Sequence, residues 1–360
     1  MRLFDKIEQY SAIFVQNTLS LKNTPRNIII SRTDSIGDVI LTLPVAAVLK
    51  RHFPNTTIAF LGKSYTKPVI AACKHVDVFI DVEDFLNNNI LIAGEKPDCI
   101  LHVFPVSRIA KRAKHLKIPL RIGTTNRLYH WFTCNKLVKL SRKKSDLHEA
   151  QLNLKLLEAF GITESFSLQQ IGQLFGLEKI QPLPAGLTSL IQKDKYNVIL
   201  HPKSQGSARD WPLENFLQLI ESLNKDKFTI FISGTAKEKE LIKWLLDKAG
   251  GQVTDITGKM SLPEFIAFIQ QCDGLVANST GPIHIAAALG KDALGIYPPM
   301  RPIHPGRWAP LGANAQVFVL NKECVACKGN ANPCQCIMDV PAAWISEALT
   351  KRYQHKFGKA

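Results

Sequence analysis

The chain has 360 residues, 46% of them hydrophobic and 21% charged, with a formal net charge of +15. That length suits two domains of ordinary size, and the composition is that of a core-forming, soluble protein rather than a disordered one. No apolar run reaches the roughly 18–20 residues of a bilayer-spanning helix, while the positive charge favours polyanionic partners: nucleic acid, an anionic membrane face or phosphorylated substrates.

The first residues, MRLFDKIEQYSAIFVQNTLS, do not read as a signal peptide, because Asp5, Lys6 and Glu8 interrupt any apolar core. Leu3, Phe4, Ile7, Tyr10, Ile13 and Phe14 recur at helical spacing, which predicts an amphipathic helix over 1–24. Such a helix packs on the body or lies on a membrane surface. From residue 27 short apolar runs alternate with helical segments. Strands are predicted over 27–32, 57–61, 77–81 and 98–103, with helices between them over 39–52 and 64–73. That is the pattern of a parallel sheet with crossover helices. Two basic runs come next, RIAKRAKHLKIPLR (108–121) and SRKK (141–144). Each reads either as a solvated helix face or as a site for an anionic ligand. A helix is predicted over 146–160, closed by Gly161, and QPLPAG (181–186) reads as a linker.

The alternation then restarts, with strands predicted over 197–201, 228–233, 253–257, 274–278, 293–297 and 316–320. LENFLQLIESL, KEKELIKWLLDKA and LPEFIAFIQQC supply helices between them. The expected organisation is a helix over 1–24, a first domain over 25–180, a linker over 181–196, a second domain over 197–340 and a terminal helix over 341–360. Two doubly wound α/β domains would face a cleft, with ligands bound beyond the carboxyl ends of the strands.

Four post-strand loops carry the chemistry. The first, Ser31 to Asp38, ends by placing a carboxylate on the first turn of a helix. There it can favour the helix dipole, bind a ligand or take a proton. Asp34 reads as a turn residue and the lesser candidate for that proton. The second is HPKSQGSARDWP (201–212) and the third SGTAKEKE (233–240). In the fourth, NSTGPIHIAAALG (278–290), Ser279 or Thr280 can cap a helix that Pro282 helps to start. The free N–H groups at such a start suit a phosphate, and His284 is placed to donate a further bond.

Taken together these segments resemble a family. DSIGDVILTLPVAAVLKRHFP with IAFLG, then HPKSQGSARDWPLENF, ISGTAKEKE, ITGKMSLPEFIAFIQQCDGLVANSTGPIHIAAALG and HPGRWAPLG, are similar in order to glycosyltransferase family 9, the bacterial lipopolysaccharide heptosyltransferases. The likeness runs from about residue 25 to about 345. It implies the GT-B fold, two Rossmann-like domains with the acceptor bound mainly by the first and a nucleotide-sugar by the second. It implies an inverting, metal-independent transfer in which Asp38 is the general base, with Gly37 letting substrate come close to the backbone. Arg209 stands where relatives often carry Lys and would stabilise the departing diphosphate, with Ser204, Ser207, Thr280, Gly281 and His284 around it. Glu238 would bind the ribose hydroxyls, or is simply a first-turn acid. Met260, Ser261 and Leu262 would line the nucleobase pocket, and Arg121, in the RIG turn, would help bind the acceptor. Ser279 replaces an Asp that several relatives use for the sugar's hydroxyls, which bears on the sugar's identity more than on the reaction.

The leading expectation is transfer of heptose from ADP-heptose to a phosphorylated or Kdo-bearing inner-core glycolipid. The enzyme would be cytoplasmic, with peripheral contact to an anionic inner membrane and no nucleic-acid partner. The alternatives are another nucleotide-sugar or acceptor, or a non-catalytic basic protein that binds nucleotide or anionic lipid. No cofactor is expected for catalysis. Cys73, Cys99, Cys134 and Cys272 read as reduced, buried thiols. Cys324, Cys327, Cys334 and Cys336, spaced C-x2-C-x6-C-x-C, suit a structural zinc, or are reduced thiols or disulfides.

Overall fold

The computed structural model describes residues 25–204, 206, 208–321 and 334–358. The helix expected over 1–24 therefore lies outside the described residues, as do Ser207, Cys324 and Cys327.

Twelve strands form two sheets. The first contains β1 (Asn27–Ser31), β2 (Thr57–Gly62), β3 (Val78–Asp81), β4 (Cys99–His102), β5 (Leu120–Thr124) and β6 (Lys136–Val138), in the order β3-β2-β1-β4-β5-β6. The second contains β7 (Tyr196–His201), β8 (Phe228–Ile232), β9 (Thr254–Asp255), β10 (Gly274–Asn278), β11 (Asp292–Ile296) and β12 (Ala315–Phe318), in the order β12-β11-β10-β7-β8-β9. Every pairing is parallel, and both sheets have the same doubly wound connectivity. The central strands are buried on both faces, which is why NIIIS and YNVILH read as apolar runs without alternation. In register, Ile29 lies between Ala59 and Ile100, and Ile199 between Phe231 and Leu275.

The helices used below are α1 (Ile36–Ile40), α2 (Leu43–His52), α3 (Ser107–His115), α4 (Leu128–Thr133), α5 (Glu149–Leu154), α6 (Leu213–Ser222), α7 (Leu262–Gln271), α8 (Gly281–Ala288) and α9 (Ala342–Phe357). One core cluster runs through both halves, from Ile28, Val39 and Phe60 to Phe268, Ile283 and Ile285. A second lies beneath α6 and α9, where buried Trp211 donates its indole N–H to Val340 O at 2.9 Å. Cys334 and Cys336 are buried in that second cluster.

Three local expectations need correction. Arg121 is in strand β5, not in a turn, because Leu120 and Ile122 pair with Cys99 and Leu101 of β4 while its guanidinium turns to backbone carbonyls. The helix expected over 146–160 is α-helical only to Leu154. It then tightens into a 3-10 helix over Lys155–Phe160 and stops at Gly161, whose φ of 79° suits glycine. The strand expected over 253–257 is two residues long.

Candidate active site

A cavity of about 900 Å³ opens between the carboxyl edges of the two sheets. The first half contributes Ser35, Ile36, Gly37, Asp38 and Tyr65 to its wall; most of the rest comes from the loops after β7, β8, β9 and β10. The strand order reverses between β1 and β4 and between β7 and β10, so the crevice lies where such folds bind ligands.

The starts of α1 and α8 meet at this crevice. A Cβ on Gly37 would sit 2.9 Å from the His284 ring, and one on Gly281 would sit 3.0 Å from Ile36 Cβ. Both positions thus need glycine for close approach rather than for backbone conformation. The second loop is fixed to β10 by Asn278, which accepts from Trp211 N at 3.0 Å and donates to Pro202 O at 2.9 Å.

Asp38 is in the first turn of α1, where Ser35 Oγ donates to its Oδ2 at 2.5 Å and the Arg32 guanidinium grips Oδ1. Arg32 is the first residue after β1 and only 3% exposed. It also binds Asp34 at 2.7 Å, Glu149 at 3.0 Å and the Asn153 side-chain oxygen at 3.3 Å. Glu149, 1% exposed, accepts in addition from Arg142 at 2.8 Å and is ion-paired with Arg307 of the second half at 2.5 Å. Three guanidinium groups therefore face three carboxylates in one buried network that links the halves. Burial pushes the Glu149 carboxyl up, but Arg142, Arg32 and Arg307 overcome it and leave it below its ordinary value. Asp34 behaves oppositely: burial raises it to about 6, with Asp38 adding to the rise and Arg32 opposing it.

On the other wall, Thr280 caps α8 without a side-chain hydrogen bond to the helix, and its buried Oγ1 has no hydrogen-bond partner among the described residues. The buried His284 Nδ1 is likewise unpartnered. Burial, aided by His148, lowers His284 to about 3, so the ring is neutral and carries one N–H to donate. Orphaned donors beside a helix start of positive potential are what an anionic ligand would satisfy. His201 also lines the cavity, with Nδ1 2.9 Å from Ser233 Oγ, and burial holds it below its ordinary value.

Of the residues singled out from sequence, Asp38, Gly37, Ser204, Glu238, Met260, Leu262, Ser279, Thr280, Gly281 and His284 line this one cavity. Ser204 turns its hydroxyl to Asp210 at 2.6 Å. Glu238 uses Oε2 in a capping box with Thr235, accepting from its N–H at 2.7 Å and its hydroxyl at 3.0 Å. Ser261 caps α7 beside the cavity and is exposed. Arg209 sits half-buried in the β7–α6 loop and is not among the lining residues. Arg121 does not reach the cavity; its guanidinium is bound to Ile118 O and Thr133 O. Among the described residues no group of three or more His, Cys, Asp or Glu is arranged to hold a metal, and no helix is long and apolar enough to cross a membrane.

Three features escaped the sequence reading. Lys203 lines the cavity, 3.2 Å from Asp210; its signal was its place two residues beyond the end of β7. Arg32 had the same signal, one residue after β1. Glu149 had none, because it meets Arg32 from 117 residues away.

A family model described as "Glycosyltransferase family 9 (heptosyltransferase)" matches residues 109–338. The lipopolysaccharide core heptosyltransferase OpsX of Haemophilus influenzae is 19% identical, over 83% of this chain and 86% of its own. Lipooligosaccharide heptosyltransferase 2 of Campylobacter jejuni is 21% identical, over 88% of this chain and 96% of its own. The solved structure of Escherichia coli ADP-heptose LPS heptosyltransferase II superposes with a TM-score of 0.74 at 18% identity, covering 92% of this chain and 99% of that one. The fold is therefore GT-B, and this chain belongs to glycosyltransferase family 9.

Proposed function

We propose that the protein transfers a sugar with inversion from a nucleoside-diphosphate sugar, ADP-heptose, to a hydroxyl of a phosphorylated or Kdo-bearing lipopolysaccharide inner-core glycolipid. The observation that carries this reading is the contact of α1 with α8, which sets the Asp38 carboxylate opposite the phosphate-suited start of α8 across one cavity. The acceptor oxygen attacks the anomeric carbon as the bond from that carbon to the diphosphate oxygen breaks. Asp38 takes the hydroxyl proton, and the electron pair leaves with the nucleoside diphosphate. Ser35 and Arg32 hold the carboxylate, each from one side, which leaves a lone pair on each oxygen for the substrate. The charge on the leaving group is met by the α8 N–H groups, Thr280, His284 and Lys203, with Arg209 behind them in the same loop as Lys203. Met260, Leu262 and the turn at Ser261 take the base, and Glu238 takes the ribose through Oε1.

On this reading, residues 25–180 form the acceptor-binding domain and 197–340 the donor-binding domain, joined by 181–196. No metal takes part in transfer. Cys334 and Cys336 are buried in the second core, which suits either the structural zinc or the reduced-thiol reading of the cysteine cluster. The donor comes from the names of the similar proteins, one of which is described by ADP-heptose and another by the lipopolysaccharide core.

Thermal shifts with ADP, UDP, GDP and CDP side by side test the donor, since a ligand of the folded state raises the melting temperature by mass action. Selective stabilisation by ADP is expected. Selective stabilisation by UDP, GDP or CDP would keep the transferase and discard heptose, and no shift with any would favour the non-catalytic binder.

A further inference from the structure

Helix α4 is oriented inside out. Its polar His130 and Thr133 are buried, while Leu128, Trp131 and Phe132, at i, i+3 and i+4, are 77%, 58% and 68% exposed. These three share one face of the helix. The orientation is locked: Thr124 N donates to His130 Nδ1 at 2.9 Å, the His102 and His130 rings are 5.5 Å apart, and Trp131 Nε1 donates to Thr125 O at 3.1 Å. Exposed large side chains scattered singly need no explanation, but three on one rigid turn do.

The surroundings are cationic. Residues 108–144 hold twelve Lys and Arg and no Asp or Glu. Some of these turn inward or to nearby partners, as Arg142 does to Glu149 and Arg108 to Glu83. Lys111, Lys114, Lys117, Arg127, Lys136 and Lys139 remain exposed on the segments that flank α4 along the chain, and Lys114 bonds directly to Phe132 O at 2.8 Å. An apolar face set in a basic, acid-free segment matches the surface of an anionic bilayer, with acyl chains below and phosphates above. It does not match nucleic acid, which offers no apolar layer at that depth.

The position agrees with use. Helix α4 comes after the carboxyl end of β5, on the same sheet edge as Asp38 beyond β1, with only β4 between those strands. Neighbouring strands are about 4.8 Å apart, so the ends of β1 and β5, from which the carboxylate loop and α4 depart, are roughly 10 Å apart.

We propose that Leu128, Trp131 and Phe132 insert into the headgroup layer of an anionic membrane, with the surrounding lysines and arginines on its phosphates. This docks the first half so that a lipid-borne acceptor reaches the cavity. It deepens the acceptor reading above, but lipid binding is measured without transfer, so either can fail alone.

The test is flotation of the full chain with vesicles of phosphatidylcholine alone or with one-third phosphatidylglycerol, in low and in 0.5 M salt. The wild type should float with the anionic vesicles in low salt and not with the neutral ones. The double variant L128S/F132S should lose at least about tenfold in bound fraction while keeping its melting temperature. Lys111→Ala/Lys114→Ala should lose several-fold, and Trp131 fluorescence, as the difference from W131F, should shift to the blue on anionic vesicles. No flotation of the wild type, or flotation of L128S/F132S equal to it, would overturn the proposal. So would a concentration-dependent dimer abolished by L128S/F132S without lipid binding, which would make α4 a contact between copies.

Discussion

The two halves share a strand order but not a chemistry. The first sheet ends at the cavity in a charged network, with buried Arg32 binding buried Glu149 and the partly exposed Asp34 and Asp38. The second ends in small residues and orphaned polar atoms, with Thr280, Gly281 and His284 at the start of a helix that touches α1. A repeated scaffold supplies the same switch point twice, and the loop beyond each strand decides whether that point holds a charge or receives one. At the cavity the first half is pre-organised by ion pairs, whose charges balance only with Arg307 of the second half. The second is polarised and incompletely satisfied, the condition of a surface built for a ligand.

The largest expected effect comes from breaking the charged side. Glu149→Gln leaves buried Arg32 and Arg307 and half-buried Arg142 short of one counter-charge, and removing one partner from a buried cluster costs about 3–5 kcal/mol. Chemical denaturation should show that loss, together with a weaker hold on Asp38 through Arg32.

Next is the contact between the halves. Gly37→Ala puts a methyl 2.9 Å from the buried His284 ring, and overpacking of this kind costs about 1–3 kcal/mol. Transfer should fall further than stability, because the same displacement separates the carboxylate from α8. A variant with full transfer would show that the two loops need not touch.

Acid should erode the structure through its buried histidines. His102 and His284 lie at about 3 and His148 at about 4, each lowered chiefly by burial from 6.5. Below pH 6.5 the unfolded chain takes up protons that the folded chain refuses. Stability is therefore complete above 6.5 and falls as pH drops toward 4, by at most about 1.4 kcal/mol per pH unit for each histidine. Asp34 opposes this weakly. Raised to about 6, it binds a proton in the folded state first, and so adds stability as pH falls from 6 toward 4. Melting temperature measured from pH 7 to 5 should decline, and His102→Phe should flatten the decline.

The smallest effect expected is on donor affinity. Lys203→Ala should weaken nucleoside-diphosphate binding by roughly tenfold, on the order of 1.4 kcal/mol, by titration calorimetry. Arg209→Ala, behind the wall, should do less. The reverse order would restore Arg209 as the principal cation.

Much of this was legible in the sequence because parallel sheets write their central strands as plain apolar runs and place function just beyond them. NIIIS, YNVILH and GLVAN were readable on that basis, and so was the position of Asp38, Thr280 and His284 at the cavity. Strands β5 and β6 were not. LRIGT and KLV are short edge-side segments inside a basic stretch, and their strand state comes from pairing with β4 and each other. Glu149 was hidden for a related reason: its meaning is set by Arg32 and Arg307, which only the folded chain brings to it. Arg121 was over-read, since its charge is directed to two backbone carbonyls rather than to the cleft.

The most direct measurement is of Asp38→Asn, an isosteric change that keeps the fold of α1 but removes the base. Transfer from ADP-heptose to inner-core acceptor and ADP affinity should be measured on the same preparation. The account predicts transfer lowered by roughly 10²–10⁴-fold with ADP affinity within about threefold of the wild type. Transfer that survives the substitution would contradict it and move the proton to another group, Asp34 first.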